Sequence, residues 1–471
     1  MLRTLLIAGS LCTSISFSAT FGTATGPTGG AAYSDIVLDE ARTQLYLINS
    51  ANNKIDIYNY KSKAFSTSVT VNSQPAAAAL SWPVNGSSQY LYVAAYGSSS
   101  LVQINLTAKS GPAISATVSV PNKPEAVAVG ADGRVLVTSV GSGSANTETL
   151  FIYDPNTTTG AKLSGISVAV PPPTAPVTPS VPGREFLAYR AALIATPDGK
   201  YIIGANGISS STRLVFVYET ASATVLASRE VSNISDVLAV SPDGARFMSG
   251  SAMFATNTLQ VMAQQNVSNS PYAFPQNTSF TTQSNQGGGV FSPDGTMLYM
   301  AYNVNPVQSP AAKANISQLL LNDPTNLLIH MGIQLPENLA GKMVIDKAGD
   351  TIYALSDSGF ITLPVSTISS YPLIGVDSTL VSVVNDQCGV TAKLASSVKN
   401  AVNSGKGNIT VTVQSYTPPS QSTATVGATT LTGGVGGGGI VITAPGGGTG
   451  GGFTPPAGGG ITPPGGGGTG N

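Results

Sequence analysis

The sequence predicts an all-β protein built on a seven-bladed β-propeller, and three observations carry that reading. A Pro-Asp-Gly turn between two apolar strands recurs: Thr196-Pro-Asp-Gly-Lys-Tyr-Ile-Ile-Gly-Ala-Asn206 is echoed from Ser241 and again from Ser292. Counting from that turn to one apolar slot locates seven copies, at Tyr46, Tyr92, Val137, Ile203, Met248, Tyr299 and Tyr353. The slots lie roughly 45 to 66 residues apart, the spacing of four-stranded blades. Between the turns, apolar and polar residues alternate with β-branched enrichment, which selects strands over helices. Within each turn proline presets φ at the first corner, aspartate bonds back to its own backbone, and glycine takes the positive φ.

Taken in order, residues 1–19 read as a signal peptide. Arg3 gives a short positive start, Leu5, Leu6, Ile7, Ala8 and Leu11 an apolar core, and Ser16, Ser18 and Ala19 small cleavage positions. Residues 20–370 form the propeller. Blade one carries strands around Ile36, Tyr46 and Ile57, blade two around Ala78, Tyr92 and Val102, and blade three around Val127, Leu136 and Phe151. A proline-rich insert at 171–182 precedes blade four, with strands around Ile194, Ile203 and Phe216. Blade five follows at Leu238, Met248 and 259–262, blade six at Val290, Tyr299, Leu320 and Ile329, and blade seven at Val344, Tyr353 and Ile361. Blade seven lacks a strong outer strand. The segment before Tyr33 is expected to supply it, because an unclosed ring exposes strand edges.

Residues 371–416 read as a small β module, sized like an incomplete Ig-like unit, with strands at 376–384, 389–393 and 408–414. From 417 to 471 the chain is dominated by Gly, Pro and Thr, a composition that cannot offset its own ordering entropy and predicts a disordered tail.

These repeats resemble the YVTN-type β-propeller repeat family of bacterial exported proteins. The strand signature is matched by Tyr46-Leu-Ile-Asn49, Tyr92-Val-Ala-Ala95 and Ile203-Gly-Ala-Asn206, the turn by the three Pro-Asp-Gly modules. The resemblance covers residues 33–370, and the aromatic of the signature is missing at Val137 and Met248. It implies a fold similar to lactonase-like and quinoprotein-like propellers, in a family with many non-enzymatic surface members.

Composition narrows the chemistry. Only 9% of residues are charged and the net charge is −1, which argues against capture of nucleic acid or anionic lipid. No run of about 18 apolar residues suggests a transmembrane span. The single histidine, His330, falls in an outer strand of blade six, away from the channel where hydrolytic chemistry would want it. Cys12 leaves with the signal, so Cys388 reads as a lone buried small side chain. Together these predict no metal site and no cofactor. Asp198, Asp243 and Asp294 are turn residues, Asp154 sits in a plain loop, and Asn85, Asn105 and Asn277 are compositional glycosylation sequons.

The Pro-Asp-Gly face is expected to be tight throughout, with long excursions at 141–149, 171–189, 264–287 and 304–315 on the opposite face. Recognition is usually built on such loops. Arg184, Phe186, Tyr189, Arg190, Tyr272 and Phe274 are therefore the candidate contact residues. The resulting expectation is a monomeric binding scaffold without enzymatic activity, secreted, periplasmic or on the cell surface, with an extracellular protein or carbohydrate as ligand. The alternative is a lactonase-like hydrolase with its site at the central channel. Carboxylate, Arg or His side chains converging on the channel mouth would favour the enzyme, and an apolar lining the scaffold.

Overall fold

The computed structural model describes residues 21–27, 32–139, 150–158, 162–166, 191–207, 212–232, 234–264, 285–304 and 316–370, with strand fragments at 374–375, 390–394, 409–411, 429–431 and 440–442. Seven antiparallel sheets follow one another along residues 23–363. Six have four strands. Blade one has five, because its outer edge is split between Ala64–Phe65 and Val69–Thr70. The innermost strands are Asp35–Asp39, Pro75–Leu80, Pro124–Val129, Ala192–Ala195, Leu238–Val240, Gln286–Phe291 and Leu339–Ile345.

The ring closes as expected from the chain ends. Thr23–Thr25 adds antiparallel to Phe360–Leu363, pairing Thr23 with Thr362 and Thr25 with Phe360, and becomes the outer strand of blade seven. Phe21, beside it, is buried among Leu319, Ile352 and Leu363.

Seven apolar clusters make up the core of the described residues, one at each seam between neighbouring blades. A blade offers alternate side chains of each strand to the seams on its two sides, as the period of two requires. Leu45 and Leu47 face the seam with blade seven, and Tyr46 faces the seam with blade two. Both faces of every sheet are thus buried, which explains the nearly continuous apolar runs in the second and third strands.

Six of the seven repeat slots hold this position. Tyr46, Tyr92, Ile203, Met248, Tyr299 and Tyr353 all point into the seam with the following blade. Val137 does not; it faces blade two, and Leu136 faces blade four. The cause is a one-residue difference in the turn. The N–H of Thr196 bonds the carbonyl of Tyr201, whereas that of Gly130 bonds Arg134. Ile194 therefore pairs with Ile203, but Ala128 pairs with Leu136. A one-residue slip exchanges the faces of a strand, so Leu136 is the equivalent residue in blade three.

Blade five also differs from expectation. Its third strand is Ala252–Ala255 and its outer strand Val261–Gln264, with Leu259 at φ +57° in the turn between them. The apolar run 259–262 is split by that turn.

Beyond the ring, Val390–Leu394 and Ile409–Val411 overlap two expected strands of the small module, while 376–384 lies outside the described residues. They pair not with each other but with short triplets inside the Gly-rich tail, Ile440–Ile442 and Thr429–Leu431 respectively.

Candidate functional site: the central channel

The seven inner strands enclose a channel of about 930 Å³. Its wall is chiefly small and aliphatic, with Ala79, Val127, Leu193, Leu238, Val290 and Val344 each from a different blade. Such residues let seven sheets converge on one axis. A larger side chain on every inner strand would push the blades apart.

Charge enters the channel mainly at the seam between blades seven and one. The inner strand of blade seven carries a wide bulge: Leu339 pairs with Ser356 and Met343 with Ala354, so two extra residues are looped out. Gly341 within the bulge has φ +99°. Lys342, lifted from the ladder, reaches Asp35 at 2.7 Å. Asp35 is buried, and its two oxygens also accept the backbone N–H groups of Ile36 and Ala78, both at 2.8 Å. One carboxylate thus ties three blades together. At the other end Glu40 accepts the Lys347 backbone N–H at 2.7 Å, with the ammonium 3.7 Å away. Asp236 also lines the channel, on blade five.

The mouth on the Pro-Asp-Gly side is a collar of stacked turns. In each turn the aspartate accepts from the hydroxyl two residues before it and the N–H two residues after it, as Asp198 does from Thr196 at 2.7 Å and Lys200 at 3.1 Å. Asp243 and Asp294 repeat this with Ser241 and Ser292. The bonds from Ser241 and Ser292 hold the carboxyls of Asp243 and Asp294 below the usual carboxylate range. At Asp198 desolvation opposes that shift, and bonds from Thr196 and Lys200 outweigh it. The turn glycine has a second duty. A Cβ on Gly244 would meet Thr196 and Pro197 of the preceding blade at 3.2 to 3.9 Å. One on Gly295 would meet Pro242, and one on Gly349 would meet Pro293. Each turn is seated on the one before it.

One turn on this face is not tight. Between Pro75–Leu80 and Tyr90–Ala95, residues 81–89 form an extended loop folded at Asn85-Gly86, with Val84 and Ser87 bridged. The Asn-Gly pair, φ +53° and +79°, is the signal that marks it. The loop carries Trp82, the only tryptophan, past blade three onto the turn of blade four, where a Cβ on Gly199 would lie 2.3 Å from the indole. Trp82, Pro83, Gly86 and Ser88 thereby line one mouth of the channel.

Arg184, Phe186, Tyr189, Arg190, Tyr272 and Phe274 lie outside the described residues, as does Cys388. His330 is in the outer strand of blade six, Ile329–Gln334, as its sequence context indicates. Among the described residues there is no cluster of three His, Cys, Asp or Glu side chains able to hold a metal ion, and no helix long and apolar enough to cross a membrane.

Fold and channel together define a seven-bladed β-propeller. No family profile matches the sequence, and no curated protein matches it. Among solved structures it is similar to hydrazine synthase of Kuenenia stuttgartiensis, with a TM-score of 0.52 and 15% identity over 73% of this chain and 98% of that one. Identity that low speaks to the fold alone.

Proposed function

We propose that this protein is an exported, non-enzymatic binding scaffold of the YVTN-repeat type whose recognition surface is the face opposite the stacked turns. The observation that carries the reading is the contrast between the faces. Every strand flanking the connections 140–149, 167–190, 265–284 and 305–315 starts or stops on that opposite face, whereas the turn face is a self-packed collar broken by one loop. Long connections grouped on one side of a rigid ring are suited to grip an extracellular protein or carbohydrate. The channel supports the scaffold over the hydrolase. Its wall is aliphatic, Asp35 is engaged by Lys342 and two backbone donors, and Glu40 is engaged by Lys347. Engaged carboxylates of this kind favour the scaffold reading.

The test is to screen the purified chain against arrays of extracellular proteins and glycans, then measure the best ligand by interferometry. Alanine at Arg184, Phe186, Tyr189, Arg190, Tyr272 and Phe274 together should weaken it at least tenfold. Undiminished binding by that variant, or turnover of lactones by the parent protein, would reject the reading.

A further inference from the structure

Beyond recognition on the loop face, we propose that the central channel is a binding site for a small aliphatic carboxylate, with its head on Lys342 and its chain along the apolar wall. The volume of about 930 Å³ falls in the range of small-molecule sites. Leu193, Leu238, Val290 and Val344 are only half-buried, so aliphatic surface faces the lumen from several sides. Burying it under an alkyl chain is favourable by about 25 cal/mol per Å².

The head group follows from Lys342. An ammonium has three donors. One meets Asp35, and the side chain is 41% exposed, so donors remain for a second anion. Asp35 is itself occupied by the N–H groups of Ile36 and Ala78, which hold its oxygens toward the strands. Beside Lys342 the bulge leaves room: a Cβ on Gly341 would touch nothing within 4 Å. A cation, aliphatic wall and free space thus occur together, placed there by the two looped-out residues.

Trp82 at the far mouth is the sole tryptophan, so its fluorescence reports on the lumen without labelling. The experiment is a titration of the full chain with decanoate, below its micellar range, followed by Trp82 emission and by calorimetry. One saturable site is expected. Lys342→Met should weaken it at least tenfold, with folding of the variant checked by circular dichroism. Val290→Phe, which narrows the channel and leaves Lys342 in place, should weaken it comparably. Decyltrimethylammonium should bind at least tenfold more weakly than decanoate. Absence of saturable binding would mean a channel filled by solvent alone and overturn the proposal. So would affinity indifferent to both substitutions, or a preference for the cationic amphiphile, which would put the head at Asp236.

Discussion

The seam between blades seven and one and the seam between blades five and six solve the same packing problem with different materials. At the first, the chain runs on from Thr25 to Asp35, but Thr23–Thr25 belongs to blade seven only by pairing with Phe360–Leu363, so blade seven is assembled from two distant stretches of chain. The seam holds Tyr33, Leu45, Leu47, Leu355 and Phe360, edge-to-face contact of Tyr58 with Phe360 at 5.0 Å, and ion pairs at both mouths of the channel. A strand from the N-terminal segment completes blade seven outside it. At the second, the chain simply runs on. Met248, Met253 and Met300 fill the wedge, the Tyr302 hydroxyl donates to the Gly250 carbonyl, and Gln286 accepts from Gly250 and Ser235. Among the described residues no ion pair spans this seam; the Arg246 guanidinium crosses it to donate to the neutral Pro324 carbonyl at 2.9 Å. Where each blade is one continuous stretch of chain, adaptable apolar side chains and hydrogen bonds to neutral acceptors fill the seam. Where a blade is assembled from two distant stretches, ion pairs at both mouths of the channel add to the register of one blade on the next.

The largest break in that comparison should come from Phe21→Ala, which empties a buried site at the base of the closing strand. A loss of about 3–5 kcal/mol is expected by denaturant unfolding, with oligomers by light scattering as the blade-seven edge is freed. A variant as stable and monodisperse as the parent would show that the N-terminal strand is not a closure. Next, Gly199→Ala should cost about 1–3 kcal/mol, since it strains φ +65° and drives a methyl into Trp82. It should shift the Trp82 emission, whereas Gly295→Ala, facing Pro242 at 3.8 Å, should cost less and leave emission unchanged.

Lys342→Met and Gln286→Leu sharpen the contrast between the seams. The first removes the charged partner of buried Asp35 and the second the shorter acceptor of the Gly250 N–H, and each should cost about 1–3 kcal/mol. The parent's advantage over Lys342→Met should shrink in molar salt, because it is an ion pair half open to solvent, while its advantage over Gln286→Leu should not. Equal salt dependence would erase the distinction. A smaller effect concerns Asp56, which accepts from Tyr33, Asn49 and Lys54 close to the closing seam. Desolvation works against its charged form, but bonds from Ser68, Asn49 and Lys54 prevail and lower its pKa. A lowered folded-state pKa means its contribution is complete above the ordinary carboxylate value of about 3.9 and fades as pH falls through the lower value. Asp56→Asn should therefore flatten the acid limb of a stability–pH curve. Smallest of all, Lys347→Ala should change stability by less than about 0.5 kcal/mol, since that ammonium is 89% exposed.

Much of this was legible beforehand because repetition amplifies weak signals. One Pro-Asp-Gly turn is ambiguous, but three at matching distances from apolar strands are not. The closure by the segment before Tyr33 followed from a missing outer strand in blade seven. Elsewhere the same counting misled. Val137 sits at the expected distance from Asp132, yet a turn tighter by one residue moves the slot to Leu136, and hydrogen-bond register is not written in spacing. The extended loop at 81–89 carries an Asn-Gly signal, but that pair also suits a tight turn, so its length is not legible from the dipeptide alone. The Lys342–Asp35 contact gave no signal at all. Some 300 residues separate the partners, and the bulge that joins them interrupts no obvious pattern.

By itself, then, the sequence determined the number of blades, the order of their strands and the face bearing the long connections, because each follows from local periodicity and turn chemistry. Only the tertiary structure decided what converges on the axis. Seven inner strands distant along the chain are brought side by side there. The identity of the channel wall, the seating of each turn glycine on the preceding turn, and the ion pairs that clasp the ring depend on angles between blades that no single blade encodes.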